Sequence, residues 1–465
     1  MNLLKFLRQS GEERTERVLT GKIYSTMLFL AVPSFLMLIS QALATTFDNW
    51  FIYNFSTLTS GGVISYSVQA FNVIYNAGIG LSVAGTAILS RFNGQGDWRG
   101  SRHYTEQFLA LMMLLSGALA VLTAVLAGFY ASLALPELQS GIRLAMRLYA
   151  VSIPFAYFNN AYYAMKNAMG KSEIPFVFTF LMVGTKVLCN AIFVAVLDLG
   201  VLGIGLATIC SHVVVSLFLV VDVFFRKKGM RLHFKGFRFD PSAIRTLLVV
   251  GIPSVINNMA MSVGFWLINL ESMKFGNEIL NSINIGNNIS SLMYNLSSCF
   301  GTCVTTAVSL NLGAKQNKRA RASAKSAIVM STIGGMLGIV IIYLLGEPIT
   351  RLFTTDPAIL GRALTSQRIS ILGAPCFGIC SVMCGVFIGF ARTKLPILIN
   401  VARVWLLRYI FILIAEALFT VNFTVIPWAT VFSNTLTALF GWYVYRTLKW
   451  EGDHQLVKRK KEKTA

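Results

Sequence analysis

The chain has 465 residues, 55% of them hydrophobic and only 13% charged, with a net charge of +21 and a mean hydropathy of +0.65. A soluble domain carries roughly 25% charged residues, so this composition excludes an ordinary soluble fold. It also removes the reading of the basic excess as a nucleic-acid surface; the solvent to consider is the bilayer.

In chain order, residues 1–21 are polar and lack a small-residue cleavage site, and are expected to form a cytoplasmic segment. Apolar runs long enough to cross a bilayer, which takes about 20 residues, then recur to the end. The first, 22–48, contains Pro33 and closes in FDNWFI with Asp48. The second, 62–90, carries Gln69, Asn72 and Asn76, whose i, i+3, i+7 spacing puts them on one helical face. Runs 106–132 and 144–167 follow, the latter with Asn159, Asn160, Tyr162 and Tyr163. Run 174–197 has Lys186 with Asn190 one turn on, and 201–225 has Thr208. A basic stretch with interleaved Phe and Leu, 226–242, reads as a cytoplasmic linker on the headgroup layer. Beyond it lie 243–271 with Asn257 and Asn258, 281–311 with Asn288, Ser291 and Asn295, 324–346, 365–390, 396–419 with Arg403, Arg408 and Glu416, and 425–447. A basic tail, 449–465, ends the chain. The expected fold is all-α and integral to the membrane, with twelve transmembrane helices.

Alternate loops, such as SRFNGQGDWRGSRH and LGAKQNKRARASAK, are dense in Lys and Arg, whereas YNFSTLTSGG, LDLG and TVNFT are sparse in them. The positive-inside rule therefore places the first set and both termini in the cytoplasm. The seven cysteines all fall within apolar runs, which argues against a disulfide framework. Cys376, Cys380 and Cys384 form an i, i+4, i+8 stripe, read as helix packing ahead of a thiolate metal site. The four histidines form no ligand pair, and the one beside a nucleophile, His212 after Ser211, is adjacent to it and so points apart; an enzyme is not expected.

The chain also repeats. Pro33 and Pro253 are 220 residues apart, Gly94 and Gly313 are 219, Arg102 and Arg321 are 219, and Pro154 and Pro375 are 221. Shifted by 219, Gln69, Asn72 and Asn76 become Asn288, Ser291 and Asn295, polar again. Six runs per repeat return the chain to the same side, so the halves, 22–225 and 243–448, should be parallel six-helix bundles with substrate held between them. The two polar seams, with Asn257 and Asn258, are the candidate lining of that cavity; gluing each bundle by hydrogen bonds is the other reading.

Ionisable residues inside the runs are few. Asp48, Asn190 and Thr208 all fall in the outer half and offer oxygens to a proton or a small hard cation; a carboxylate merely wetted at a helix end is the alternative for Asp48. A lone ammonium at Lys186 would cost roughly 3 kcal/mol in a membrane helix, so it should have a role or a partner. Arg408 and Glu416, two turns apart, are a candidate ion pair, with Arg403 nearby.

These motifs resemble the multidrug and toxic compound extrusion (MATE) family, within the superfamily that also holds lipid-linked oligosaccharide flippases. The likeness runs over the whole chain: a first-helix proline followed fifteen residues later by an aspartate (Pro33, Asp48), the two glycine-to-arginine loops GQGDWRGSR and LGAKQNKRAR, and the segment LCNAIFVAVLDLGVLGIGLAT. The resemblance implies an antiporter in the plasma membrane, bacterial inner membrane expected, working as a monomer without cofactor. It would export small organic cations or apolar metabolites in exchange for protons or sodium. Asp48 matches the family's cation-coupling aspartate, and Asn190 and Thr208 match its neighbours in one branch. Val194 stands where that branch has a second aspartate, and Ile268 occupies the repeat position of Asp48. One carboxylate favours a proton over sodium, with Lys186 as counter-charge. A lipid-linked sugar flippase, which would need Arg403, Arg408 and Lys186 as its cationic cavity, and a transport-dead sensor are the rivals.

Overall fold

In a computed structural model, residues 11–55, 58–134, 136–225, 237–273, 277–354, 356–418, 422–448 and 450–451 are described. Residues 1–10 of the expected N-terminal segment, 226–236 of the linker and 452–465 of the tail lie outside them, as does the side chain of Gln69.

A short helix, α1 (Gly11–Thr20), precedes the first bundle: α2 (Ile23–Phe55), α3 (Leu58–Gly94), α4 (Trp98–Ser132), α5 (Gln139–Ala168), α6 (Glu173–Asn190) and α7 (Gly200–Val220). The second bundle is α8 (Pro241–Met273), α9 (Asn277–Gly313), α10 (Asn317–Arg351), α11 (Pro357–Ile371) with α12 (Ala374–Gly389), α13 (Lys394–Val401) continuing to α14 (Ile410–Leu418), and α15 (Val425–Arg446). Among the described residues, eight helices are long and apolar enough to cross a bilayer, or nine when the pair α11–α12, bent by 49°, counts as one span. The others are more polar because neighbours cover them: α5 buries Asn159, Asn160, Tyr157 and Tyr162.

The repeat is visible in helix lengths. The first three helices of each bundle have 33, 37 and 35 residues, in the same order. Pro33 and Pro253 sit inside equivalent helices. The repeat extends to the backbone: Gly96 (φ 70°) and Lys315 (φ 59°) turn left-handed after α3 and α9, and Gly170 (φ 70°) and Ala391 (φ 58°) after α5 and α12. Such a conformation favours glycine, yet the second bundle keeps the turn with Lys315 and Ala391.

The fifth span of each bundle contains a π-helical stretch, Ala191–Val196 after α6 and Ala402–Tyr409 between α13 and α14. π segments are rare and collect at functional sites.

The bundles meet along α2, α3, α8 and α9. At the basic end the approach is backbone to backbone: a Cβ on Gly94 would lie 2.1 Å from the Leu310 carbonyl oxygen, and one on Gly313 would lie 2.3 Å from that of Arg91. The two glycines noticed as a repeat pair thus mark the backbone-to-backbone contact between the halves at this end. Buried Arg91 donates to the Gly389 carbonyl at 2.8 Å, adding a tie between bundles. Further along, Gly80 packs on Ser254 and Val255, and the Cys303 thiol reaches the Ser34 hydroxyl at 3.6 Å. A shared apolar cluster, with Leu30 and Met27 against Val304 and Phe387, fills this end.

The helix α1 spans the same junction. Arg14, almost fully buried, pairs with Glu173 of the first bundle at 2.8 Å. Arg319 of the second bundle donates to the carbonyls of Val18 (3.1 Å) and Gly21. What the sequence suggested as a polar N-terminal segment is, over 11–20, a helix fastened to both halves. Residues 237–240 of the linker are fastened too: Gln107 donates to the Arg238 carbonyl at 2.7 Å, and His103 contacts Asp240 at 3.1 Å. The Ser242 hydroxyl and His103 hold the Asp240 carboxyl down at about 2.

Candidate functional site

The first-bundle site is built by two helices running in the same direction. α2 continues seven residues past Asp48, so the carboxylate lies within the helix and not at its tip. From α6, Lys186 and Asn190, one turn apart, each take one carboxylate oxygen: Lys186 Nζ lies 2.5 Å from Oδ2, and Asn190 Nδ2 donates to Oδ1 at 3.0 Å. The Asp48 and Lys186 side chains are about one-fifth exposed, whereas Asn190 is buried. The lone ammonium of the sequence therefore has a partner, and the coulombic attraction offsets its cost in the bilayer. Asn190 Oδ1 is buried without a hydrogen-bond partner, so the amide retains acceptor capacity beside the carboxylate.

Thr208 does not join this cluster by hydrogen bond. Its hydroxyl donates to the Ile204 carbonyl of its own helix at 3.0 Å. Val194 is buried in the π stretch, packed with Ile64 and Ile204, so the place of a second acid is apolar here. Two groups that sequence reasoning passed over lie in the neighbourhood of the pair: the buried Tyr149 of α5 is within electrostatic reach of Asp48, and buried His212 of α7 within that of Lys186. Neither has a sequence signal, since both belong to other helices with no spacing relation to Asp48.

Of the polar seams, Asn76 crosses the junction and donates to Ser262 of α8 at 3.2 Å. Asn72, one turn outward on the same face, is exposed. On α9, Asn288 and Ser291 are exposed and Asn295 is half-buried. Asn257 accepts from Asn400 at 3.0 Å within the second bundle, and Asn258 donates to the Ser254 carbonyl at 2.9 Å along its own helix.

The expected Arg408–Glu416 pair is not formed. Arg408 donates to Ser433 (3.2 Å) and Asn434 (3.4 Å) and lies 5.7 Å over the Phe265 ring. The reason is helical geometry. Residues eight apart lie about 12 Å apart along a helix, beyond the i, i+3 and i, i+4 neighbours that meet on its surface, and Arg408 takes its polar partners from α15 instead. Tyr409, not Arg408, reaches an acid, Glu271, at 3.2 Å. The cysteines are all free, and no group of three or more metal-ligating side chains occurs among the described residues.

Comparison with known proteins agrees with this architecture. The chain is 22% identical over 438 residues to the multidrug export protein MepA of Staphylococcus haemolyticus, covering 92% of this chain and 94% of that one. It is 23% identical over 404 residues to the probable multidrug resistance protein YpnP of Bacillus subtilis, covering 84% and 88%. A solved structure described as the outward-facing conformation of a multidrug resistance MATE family transporter superposes with a TM-score of 0.87 at 18% identity, covering 92% of this chain and 96% of that one. The MatE family model matches twice, over residues 33–192 and 253–414, the two matches beginning at the paired prolines. With both halves of the fold and about two-thirds of its residues so matched, the chain belongs to the MatE family: it is a multi-pass membrane transporter, not an enzyme.

Proposed function

We propose that this transporter exports small organic molecules by alternating access, driven by protons that enter through Asp48. The observation that carries the reading is the three-sided hold on Asp48: a cation on one oxygen, an amide on the other, and partial exposure. Ionised, the carboxylate keeps Lys186 neutralised. Protonated, it releases Lys186, and the Asn190 amide, turned over, would accept the new O–H through the Oδ1 that now lacks a partner. Asp48 is then hydrogen-bonded in both states, while Lys186 loses its counter-charge on protonation and the charge seen by the helices around it changes by one. A single carboxylate already occupied by an ammonium is a poor cage for sodium, which takes several oxygens; that favours the proton.

Contacts at the basic end and exposed seams beyond Asn76 match a transporter open toward the less basic side. With the basic loops in the cytoplasm, this is the outward-facing state, and the opposite state requires the Gly94–Gly313 junction and the α1 clamp to part. The names of MepA and YpnP support drug-like substrates. The test is ethidium transport by proteoliposomes under a pH gradient and a sodium gradient imposed separately. Transport under the pH gradient alone is expected; transport under sodium alone would overturn proton coupling.

A further inference from the structure

The second bundle buries two guanidinium groups that no carboxylate answers. Arg403 and Arg408 are 4% and 7% exposed, and neither makes an ion pair among the described residues. Arg403 Nε has no hydrogen-bond partner, and the group's polar contact is the Met261 sulfur at 3.8 Å. Arg408 has only neutral partners, Ser433 and Asn434. The π stretch puts the two together: its bonds run from i to i+5, so residues about five apart return to one face, and Arg403 and Arg408 are five apart within it. Burying a charge without a counter-ion costs several kcal/mol, and two like charges compound it. A structural role would be served by one neutral side chain at each position.

The surroundings suit an organic anion. Arg403 lies 4.8 Å over Phe377, which packs on Tyr294 with ring centroids 5.1 Å apart. Met261 and Phe265, one turn apart on α8, stand against Arg403 and Arg408 respectively. Ser262, between them, faces the junction through Asn76, and Phe265 is 43% exposed. A flexible thioether and one ring thus separate the guanidinium groups from the space between bundles, and both can rotate aside. The first bundle differs in sign: its ammonium is matched by Asp48.

We propose that Arg403 and Arg408 form an anion site in the second bundle that holds the carboxylate, or a like monoanionic group, of an organic ligand. The inference rests on the export reading and extends it: amphipathic acids or zwitterions would be substrates beside the organic cations and apolar metabolites that the sequence pointed to. The experiment is equilibrium dialysis of the protein in lipid nanodiscs, corrected with empty discs, against 2-naphthoate and its neutral isostere 2-naphthamide. Wild type should bind the acid about tenfold tighter than the amide, the scale of a charge-assisted hydrogen bond. Arg403→Gln should erase that preference while leaving 2-naphthamide binding unchanged, and Arg403→Lys should keep part of it. Acetate competing with 2-naphthoate would show that the free anion suffices; no competition would show that the anion is read only as part of an organic ligand. Equal binding of acid and amide by wild type would overturn the proposal, as would a parallel loss of both in Arg403→Gln. Dialysis involves no gradient, so binding of 2-naphthoate without any transport would refute the export reading alone, and ethidium export without acid preference would refute the anion site alone.

Discussion

Replacing Gly94 with alanine should open the junction between bundles. The added Cβ would lie 2.1 Å from the Leu310 carbonyl oxygen and 2.8 Å from its carbon. Carbon–oxygen contacts settle at about 3.3 Å or more, so α3 and α9 must part by roughly 1 Å at this point. The obstacle is backbone, and no rotamer change relieves it. Overpacking of this kind costs about 1–3 kcal/mol, and it falls only on the state in which the helices touch. The gain in helix propensity from glycine to alanine, about 1 kcal/mol, is present in both states and cancels from their ratio. The ratio of closed to open junctions should therefore drop about 5- to 150-fold. Spin labels at Arg99 and Lys318, both exposed beside the junction, would report this by pulsed electron resonance in nanodiscs. A longer-distance population is expected in Gly94→Ala and in Gly313→Ala. The double variant should exceed neither by the full sum, because the two sites share one contact. Distance distributions identical to wild type, in a variant of unchanged melting temperature, would refute the claim that these glycines are the closing contact.

Further outcomes follow from the same geometry. Lys186→Met should lower stability by about 1.5–3 kcal/mol, the worth of a hydrogen bond to a charged group, and Asp48→Asn in the same chain should restore most of it; a double variant as unstable as the single one would show that the pair is not coupled. Arg14→Ala leaves Glu173 without its partner at 2.8 Å and should cost about 3–5 kcal/mol, read as a fall in melting temperature that Glu173→Gln partly reverses. Burial, then Lys166, push Lys171 down to about 8. Its folded value lies below its unfolded one, near 10.5, so the folded chain binds fewer protons in between, and stability should rise with pH from about 8 to 10.5. Lys171→Gln should flatten that rise.

The parts of the fold that follow from hydropathy were legible without coordinates. Twelve spans, two halves and the offset near 220 follow from run lengths and landmark pairs, and the described helices match them to within several residues at each end. The Asp48–Asn190 contact was legible through the family likeness, and Lys186 through its cost in a bilayer. Arg408 was misread because residues two turns apart share a face but lie about 12 Å apart along it, and its actual partners, Ser433 and Asn434, come from another helix with no spacing relation to it. The Thr208 hydroxyl spends its proton on the Ile204 carbonyl of its own helix, a bond that spacing in the sequence does not show. The helix α1 escaped notice because its stability comes from contacts with Glu173 and Arg319, more than 150 residues away in sequence.

The central claim is that Asp48 carries the proton. Asp48→Asn keeps the size of the side chain and mimics its protonated form, so the variant should fold and bind ligand. Efflux driven by a pH gradient, compared with wild type at matched expression, tests the claim most directly. The account predicts that Asp48→Asn abolishes the gradient-driven component; efflux equal to wild type would mean that the coupling proton is carried by another residue, and would contradict it.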